Sequence, residues 1–270
     1  MIADMHTHSE HSHDCSGKME RMCLSQIEKG VSFFAVTDHI DIYSHKDYDI
    51  FTPIVRAREE VLLLNEKYRD KITILSGMEI GEGFYYPEVV KKAETLCPHD
   101  VIIGSVHCIG YKSPVIAYSK VDFSRFTEDE LFEYMGIYFD DVISMLKIQD
   151  FDILAHITCP IRYITGKYKR EIDLSFFTEK IDEILHLTIE KGISMEVNTS
   201  SFDALSDFMP TREIIKKYYD FGGRMVTLGS DAHIAENAAC NFEKAIAFLK
   251  ETGFTKLYYY VKRKPVAYCI

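Results

Sequence analysis

The sequence lacks an apolar run of the roughly 18 residues that a membrane-spanning helix requires. It also lacks an excess of positive charge: 31 Lys and Arg stand against 42 Asp and Glu, a formal net charge of −11. Sequence-independent nucleic-acid binding, which rests on a field of cationic side chains, is therefore not expected, although a local cationic pocket for a small anion remains open. The cysteines form no paired framework. There are seven, at 15, 23, 97, 108, 159, 240 and 269, with no CxxC among them, which reads as reduced thiols in a reducing compartment. The opening "MIADMHTH" has neither the basic start nor the long apolar core of a secretory signal, and a cytoplasmic protein is the expectation. No low-complexity tract, internal repeat or Gly/Ser/Pro-rich linker appears, so residues 1–270 read as one domain. With 47% hydrophobic residues, that domain has ample material for one large core.

What is present is an alternation. Short, near-continuously apolar runs occupy 2–8, 32–39, 72–80, 101–107, 151–157, 193–200 and 224–233, as expected of strands buried on both faces. Helix-like stretches lie between and after them, at 19–29, 54–69, 87–96, 127–147, 174–191, 210–221 and 236–251. Thr127 with Glu130 predicts a capping box, and Pro87 suits a first helical turn. The Gly of "EKG" at 28–30 and again at 190–192 falls just past a helix end. Seven strand-then-helix units in series predict a parallel sheet. Without a Gly-rich nucleotide loop, closure into a seven-stranded (β/α)7 barrel is favoured over an open, doubly wound sheet. The tail "KLYYYVKRKPVAYCI" reads as an extra strand pair or an edge cap, with Pro265 arguing against a central strand.

One regularity points to chemistry. Every apolar run ends in a residue able to bind a metal or a proton. These are His6 and His8, then Asp38 and His39, Glu79, His107, His156, Glu196 and Asn198, and lastly Asp231 and His233. In a parallel barrel the C-terminal strand ends converge on one mouth, where catalysis sits. A single histidine at a strand end is usually a hydrogen-bonded loop residue. His6 and His8, at i and i+2, share one face of a strand and can reach one ion, and Asp231 and His233 repeat that spacing. A lone buried carboxylate such as Glu79 is expensive unless paired or metal-bound.

The ordered set of HTH, TDH, a Glu after the third strand, GSVH, a His after the fifth strand and GSDAH resembles the polymerase and histidinol phosphatase (PHP) family of metal-dependent phosphoesterases. The likeness runs from position 4 to 233. Within the family, "SGMEIGEGFYYPE", "VIIGSVH" and the length are similar to the stand-alone histidinol-phosphate phosphatases. The resemblance implies a distorted seven-stranded TIM-like barrel and three divalent ions, Zn, Mn or Fe. It implies a first ion on His6, His8, Glu79 and Asp231. A second would take Glu79, His107 and His156, and a third His39, His233 and Asp14, with His13 as the alternative to Asp14. His11 and His13 then fall near the site or on the surface.

Carboxylate and imidazole donors suit Zn, Mn or Fe(II) better than Ca or Mg. Two ions sharing a carboxylate would acidify the water between them and neutralise phosphoryl oxygens. Asp231 or His233 could carry the proton to the leaving group. Arg162 is the candidate phosphate ligand, because a guanidinium binds two phosphate oxygens in parallel. Lys167, Lys169 and Arg170 could form a basic rim. Glu196 and Asn198 could recognise a substrate amine or orient histidine ligands. Cys108 reads as packing. The expected partner is thus a small phosphate monoester, most simply L-histidinol phosphate. Another phosphate ester is the alternative, and an amidohydrolase-type deaminase is disfavoured because it lacks the third metal site that TDH and His233 supply. The oligomeric state is not legible.

Overall fold

The computed structural model describes residues 1–44, 46, 48–112 and 115–270, with no description of the Ser44 side chain. Twelve strands and nine helices alternate along them. The strands are β1 (Ala3–Thr7), β2 (Phe33–Val36), β3 (His39–Asp41), β4 (Thr73–Gly81), β5 (Val101–Ser105), β6 (Cys108–Gly110), β7 (Val115–Ala117), β8 (Ile153–Leu154), β9 (Ser194–Asn198), β10 (Val226–Gly229), β11 (Lys256–Val261) and β12 (Lys264–Cys269). The helices are α1 (Met19–Glu28), α2 (Phe51–Tyr68), α3 (Pro87–Leu96), α4 (Glu128–Ile148), α5 (Cys159–Ile161), α6 (Thr178–Glu190), α7 (Phe202–Leu205), α8 (Arg212–Asp220) and α9 (Phe242–Thr252).

The parallel sheet runs in the order β1-β2-β4-β5-β8-β9-β10. β3 continues β2 in the same register against β4, with Val36 opposite Ser76 and His39 opposite Glu79. The second strand is thus one strand interrupted at Thr37 and Asp38. The first and last strands meet through a Thr7–Ala232 bridge, His8 N donating to Ala232 O at 3.0 Å and Asp231 N to His6 O at 2.8 Å. The barrel therefore has seven strand positions and is nearly closed. Each strand is buried along most of its length because helices cover the outside and packed side chains fill the inside.

The strand positions match the apolar runs, and most helices match their periodic stretches. The capping box of α4 is formed, with Thr127 accepting from Glu130 N and Glu130 accepting from Thr127 N. Two boundaries differ. The stretch 174–191 begins as a 3₁₀ turn, Leu174–Phe177, before α6. The last helix begins at Phe242 and not at 236, because Ala239 and Asn241 hold left-handed backbone (φ 47° and 57°) that no α-helix continues through. Among the described residues no helix is long and apolar enough to cross a membrane.

The tail is an antiparallel hairpin, β11–β12, with Pro265 on its outer strand opposite Tyr260. It closes the end of the barrel where the strands start. The Tyr260 hydroxyl lies 3.0 Å from Asp152 O and 2.8 Å from Ser194 Oγ, and the Tyr268 hydroxyl accepts from Ala3 N. Arg263 Nε donates to Asp152 Oδ2, and its own amide to Asp100 O. The opposite end, where the strands finish, is left free for the polar residues.

Removing the hairpin's anchor should cost stability and little else. Tyr260→Phe is expected to lose about 1–2 kcal/mol, the worth of one to two hydrogen bonds. The thermal midpoint would drop by roughly 2–6 °C. Calorimetry alongside metal analysis checks this, and unchanged metal content is part of the expectation.

Candidate metal centre

Glu79 sits at the C-terminal end of β4, fully buried, and five imidazoles surround its carboxylate. Oε1 lies 3.1 Å from His107 Nε2 and 3.0 Å from His156 Nε2. Oε2 lies 3.2 Å from His6 Nε2, 2.9 Å from His39 Nδ1 and 3.7 Å from His8 Nε2. The two oxygens thus face two groups of nitrogen donors. Asp231 Oδ1 completes the His6 and His8 side at 3.8 and 3.2 Å. On the outer side Asp14 Oδ2 lies 3.6 Å from His39 Nε2 and 3.4 Å from His233 Nε2. The His13 ring lies 5.5 Å from that of His39, tilted by 50°. It is largely exposed and lies 3.7 Å from Asp41 Oδ2. His11 turns away to Glu60.

The donor set fits divalent transition ions. Buried Glu79 Oε2 and His39 Nδ1 stand 2.9 Å apart, yet neither has a hydrogen-bond partner among the described residues. His6 Nε2 and His8 Nε2 approach to 3.1 Å, as two nitrogens do when aimed at a common point. Groups of three donor atoms within 4.8 Å recur around this carboxylate, for instance His6 with His8 and Asp231, and His39 with Glu79 and His107. Imidazole nitrogen with carboxylate oxygen is the chemistry of Zn, Mn and Fe(II) sites.

A second layer holds the rings by their other nitrogens. His6 Nδ1 lies 2.6 Å from Glu196 Oε1, and the second oxygen of Glu196 accepts from His156 N at 2.8 Å and Asn198 Nδ2 at 3.2 Å. Both residues thus contact site side chains directly and stand behind the histidines, away from the mouth. His8 Nδ1 meets Ser12 Oγ at 3.2 Å, and Ser12 donates to Asp38. Asp38 also accepts from Ser9 N and Ser9 Oγ, so the Asp of TDH fastens the loop after β1. His107 Nδ1 lies 3.3 Å from Asp41 Oδ1. Asp41 and Glu82 were missed in the sequence, although Asp41 shares the face of His39 two residues away. Glu82, in left-handed backbone (φ 51°), accepts from the amides of His107 and Cys108. The Asp4 carboxylate ties β1 to the loop after β10 by accepting from Ser230 N, Ser230 Oγ and Ala239 N.

The mouth is a pocket of about 350 Å³ that holds His39, His107, His156 and His233 with Arg162 and Tyr163. Arg162 opens a π-helical turn, Arg162–Lys167, and is the one Lys or Arg in the lining among the described residues. Its Nη1 donates to Ser200 Oγ at 3.2 Å and lies 3.9 Å from Asp231 Oδ2. The basic rim expected from Lys167, Lys169 and Arg170 does not form. Arg170 Nη1 donates to Phe126 O and Phe123 O, Lys169 donates to Gly166 O, and Lys167 lies over Tyr168. These cations are taken up by backbone carbonyls of this turn, by those in and just after the 3₁₀ turn at Phe123–Arg125, and by a neighbouring ring.

Charge is redistributed accordingly. Burial alone would raise the Glu79 pKa, but His6, His107 and His39 hold it well below the usual carboxylate range. Asp231 is held down likewise against burial, chiefly by His6 and His8. Burial lowers His39, yet Glu79 outweighs it and brings His39 to about 9. His6 and His107 also stand well above the ordinary histidine value for the same reason, whereas burial and the neighbouring imidazoles push His8 well below it.

The PHP domain model matches residues 4–200. A probable histidinol-phosphatase of Clostridium acetobutylicum is 27% identical over 263 residues, covering 96% of this chain and 97% of that protein. The histidinol-phosphatase of Lactococcus lactis is 27% identical, covering 94% and 92% of the two chains. The crystal structure of histidinol phosphate phosphatase from Lactococcus lactis, complexed with zinc, L-histidinol and phosphate, superposes with a TM-score of 0.84 at 25% identity, covering 98% of each chain. The fold is shared further with a putative histidinol phosphatase from Listeria monocytogenes, TM-score 0.74 at 16% identity.

Two outcomes follow from the site's packing and charge. A Cβ on Gly229 would lie 2.0 Å from Glu196 Oε1 and 2.8 Å from His6 Cβ. Gly229→Ala is therefore expected to displace Glu196 and lower zinc content, measured by plasma emission on purified protein. Protein stripped by chelation carries raised pKa values on His6, His39 and His107, so that their stabilisation is present below the usual 6.5, and the share of His39 is lost as pH rises through about 9. A ligating imidazole must be neutral. Zinc titration at pH 7 should release protons, seen as a heat that changes with the buffer's ionisation enthalpy. That dependence should shrink toward pH 9, and a buffer-independent heat at pH 7 would refute it.

Proposed function

The chain belongs to the PHP-domain family, and on that premise we propose that residues 1–270 form one cytoplasmic, metal-dependent domain hydrolysing L-histidinol phosphate to L-histidinol and phosphate. The observation that carries this reading is the Glu79 carboxylate, split between two groups of imidazoles, with Arg162 at the same mouth. Whole-length likeness to proteins named histidinol-phosphatase, one of them solved with zinc, L-histidinol and phosphate, supports the substrate.

His6, His8, Glu79 and Asp231 would hold one divalent ion, Glu79, His107 and His156 a second, and Asp14, His39 and His233 a third. Zinc, manganese and iron(II) all match the donors. Bound ions would supply Lewis acidity, acidifying a water and neutralising charge on the phosphoryl oxygens.

The chain's own residues do the rest. Arg162 faces the mouth and binds the phosphoryl oxygens, its guanidinium held by Ser200. Asp231 presents two different oxygens: Oδ1 faces His6 and His8, while Oδ2 faces Asn198, Ser200 and Arg162. Oδ2 takes a proton from the attacking water and returns it to the leaving alkoxide. His233 is the less suitable carrier. Its Nδ1 donates to Asp231 O at 3.0 Å, leaving Nε2 beside Asp14, and one nitrogen cannot both ligate an ion and carry the proton. Glu196 and Asn198 orient: Glu196 sets the tautomer of His6 and the backbone of His156, and Asn198 bridges Glu196 to Asp231.

Steady-state hydrolysis on metal-quantified protein tests the substrate. L-Histidinol phosphate is expected to exceed nucleotide, sugar and aryl phosphates by orders of magnitude in kcat/KM. Flat, low rates across that panel would remove the histidinol assignment. Arg162→Met should cost roughly 10- to 100-fold in kcat/KM, the worth of charge-assisted hydrogen bonds to phosphate. At matched metal content Asp231→Asn should lose about 10²–10⁴ in kcat, as general acid-base residues do. His233→Asn should lose rate as well. If it loses no less than Asp231→Asn with all metals retained, the proton role passes to His233.

A further inference from the structure

The segment that carries Arg162 has two faces. Cys159, Arg162 and Tyr163 face the metal pocket. Thr158, Ile161 and Thr165 face a separate cavity of about 860 Å³, closed on its other sides by the start of α4, the 3₁₀ turn before α6, and the loop before α8. Nothing in the mechanism uses that cavity.

Its chemistry is one-sided. Four phenylalanines line it: Phe132, Phe176, Phe177 and Phe208. Phe177 and Phe208 are buried at the floor, whereas Phe132 and Phe176 stand on the rim, 47% and 70% exposed, edge to face at 5.7 Å. Large exposed aromatics on a cavity rim are costly to leave in water and usually mark a contact surface. Five carboxylates share the lining with them, and no Lys, Arg or His does among the described residues. Asp173 is engaged by Ser175 N, and Asp207 by Arg212. Glu128, Asp129 and Glu171 have no ion-pair partner among the described residues. A further signal comes from Thr158. It is 1% exposed and lines the cavity, and its hydroxyl caps nothing and has no hydrogen-bond partner among the described residues. The hydroxyl is thus available to pair with whatever occupies the cavity.

Aromatic faces beside unpaired carboxylates are the chemistry of ammonium recognition, in which the ring quadrupole and the anions both attract the cation. We propose that this cavity is a second ligand site that binds a small ammonium carrying an apolar or planar body, on the reverse face of the segment that bears Arg162. The ammonium lies among Glu128, Asp129 and Glu171, and the apolar body lies against Phe132, Phe176 and Phe177.

Phenethylammonium chloride is a suitable probe, because it carries the charge and the ring without any phosphate. Titration calorimetry on metal-loaded protein should show one binding event, with the anion 3-phenylpropionate, which carries the same ring and two-carbon spacer, at least about tenfold weaker. Phe176→Ala and Asp129→Asn, both at the exposed rim, should each weaken the ammonium about three- to tenfold, the range of one cation–π or charge contact. Thr158→Val, which removes only the hydroxyl, should weaken it too. Arg162→Met and saturating inorganic phosphate should leave it unchanged. The proposal is overturned by absence of binding, by equal binding of the anion, or by insensitivity to Phe176→Ala and Asp129→Asn. Loss on Arg162→Met or competition by phosphate would put the probe in the metal pocket and overturn it equally.

Discussion

A carboxylate with no access to water is the constraint around which this protein is arranged. An ionised Glu79 in a barrel interior carries a desolvation cost that only opposite charge, metal or hydrogen-bond donors can offset. The fold supplies nitrogen donors from four directions. β1 brings His6 and His8, β3 brings His39 beside Glu79 in direct register, and the strand ends after β5 and β8 bring His107 and His156. Placing four imidazoles within about hydrogen-bond reach of one carboxylate would repel if all were charged. Neutral imidazoles sharing divalent ions relieve that conflict, which is why the same cluster that looks overcrowded as a set of ion pairs is sensible as a metal centre.

Holding that cluster requires backbone that most residues avoid. His156 and Asp231 adopt positive φ, at 21° and 50°, each just past the end of its strand. Such conformations persist only where surroundings over-determine them. Here Glu196 grips the amide of His156, while the Asp231 amide is bonded to His6 O across the closing seam of the barrel. Asp4 fastens the neighbouring Ser230. The seam that completes the barrel is thus also the frame of the first ligand group, so folding and site assembly are one event at that edge.

The two ends of the barrel divide the labour. The hairpin β11–β12 covers the start of the strands and satisfies their backbone groups with Tyr260, Tyr268 and Arg263. That leaves the other end unencumbered, and the loops there can carry polar residues that would be intolerable in the core. Arg162 benefits directly: its π-helical turn projects the guanidinium toward Asp231 and Ser200, and the neighbouring cations turn outward to local carbonyls.

The seven strands, their parallel run and the polar residues at their ends were legible in the chain because both signals are local. Strand burial shows as a short apolar run, and the i, i+2 spacing of His6 with His8 and of Asp231 with His233 puts each pair on one face wherever the strand lies. The PHP likeness rests on the same ordered local motifs. The three-dimensional structure decided what those signals cannot carry: that Asp14 reaches both His39 and His233 while His13 lies beside His39 and Asp41, that Asp38 fastens a loop, that Arg170 bonds carbonyls, and that Glu196 stands behind His6 across 190 residues of chain. The reason is physical. Which residue lies behind an imidazole depends on how separate strands are stacked around the barrel, and no periodicity within one strand records its neighbours.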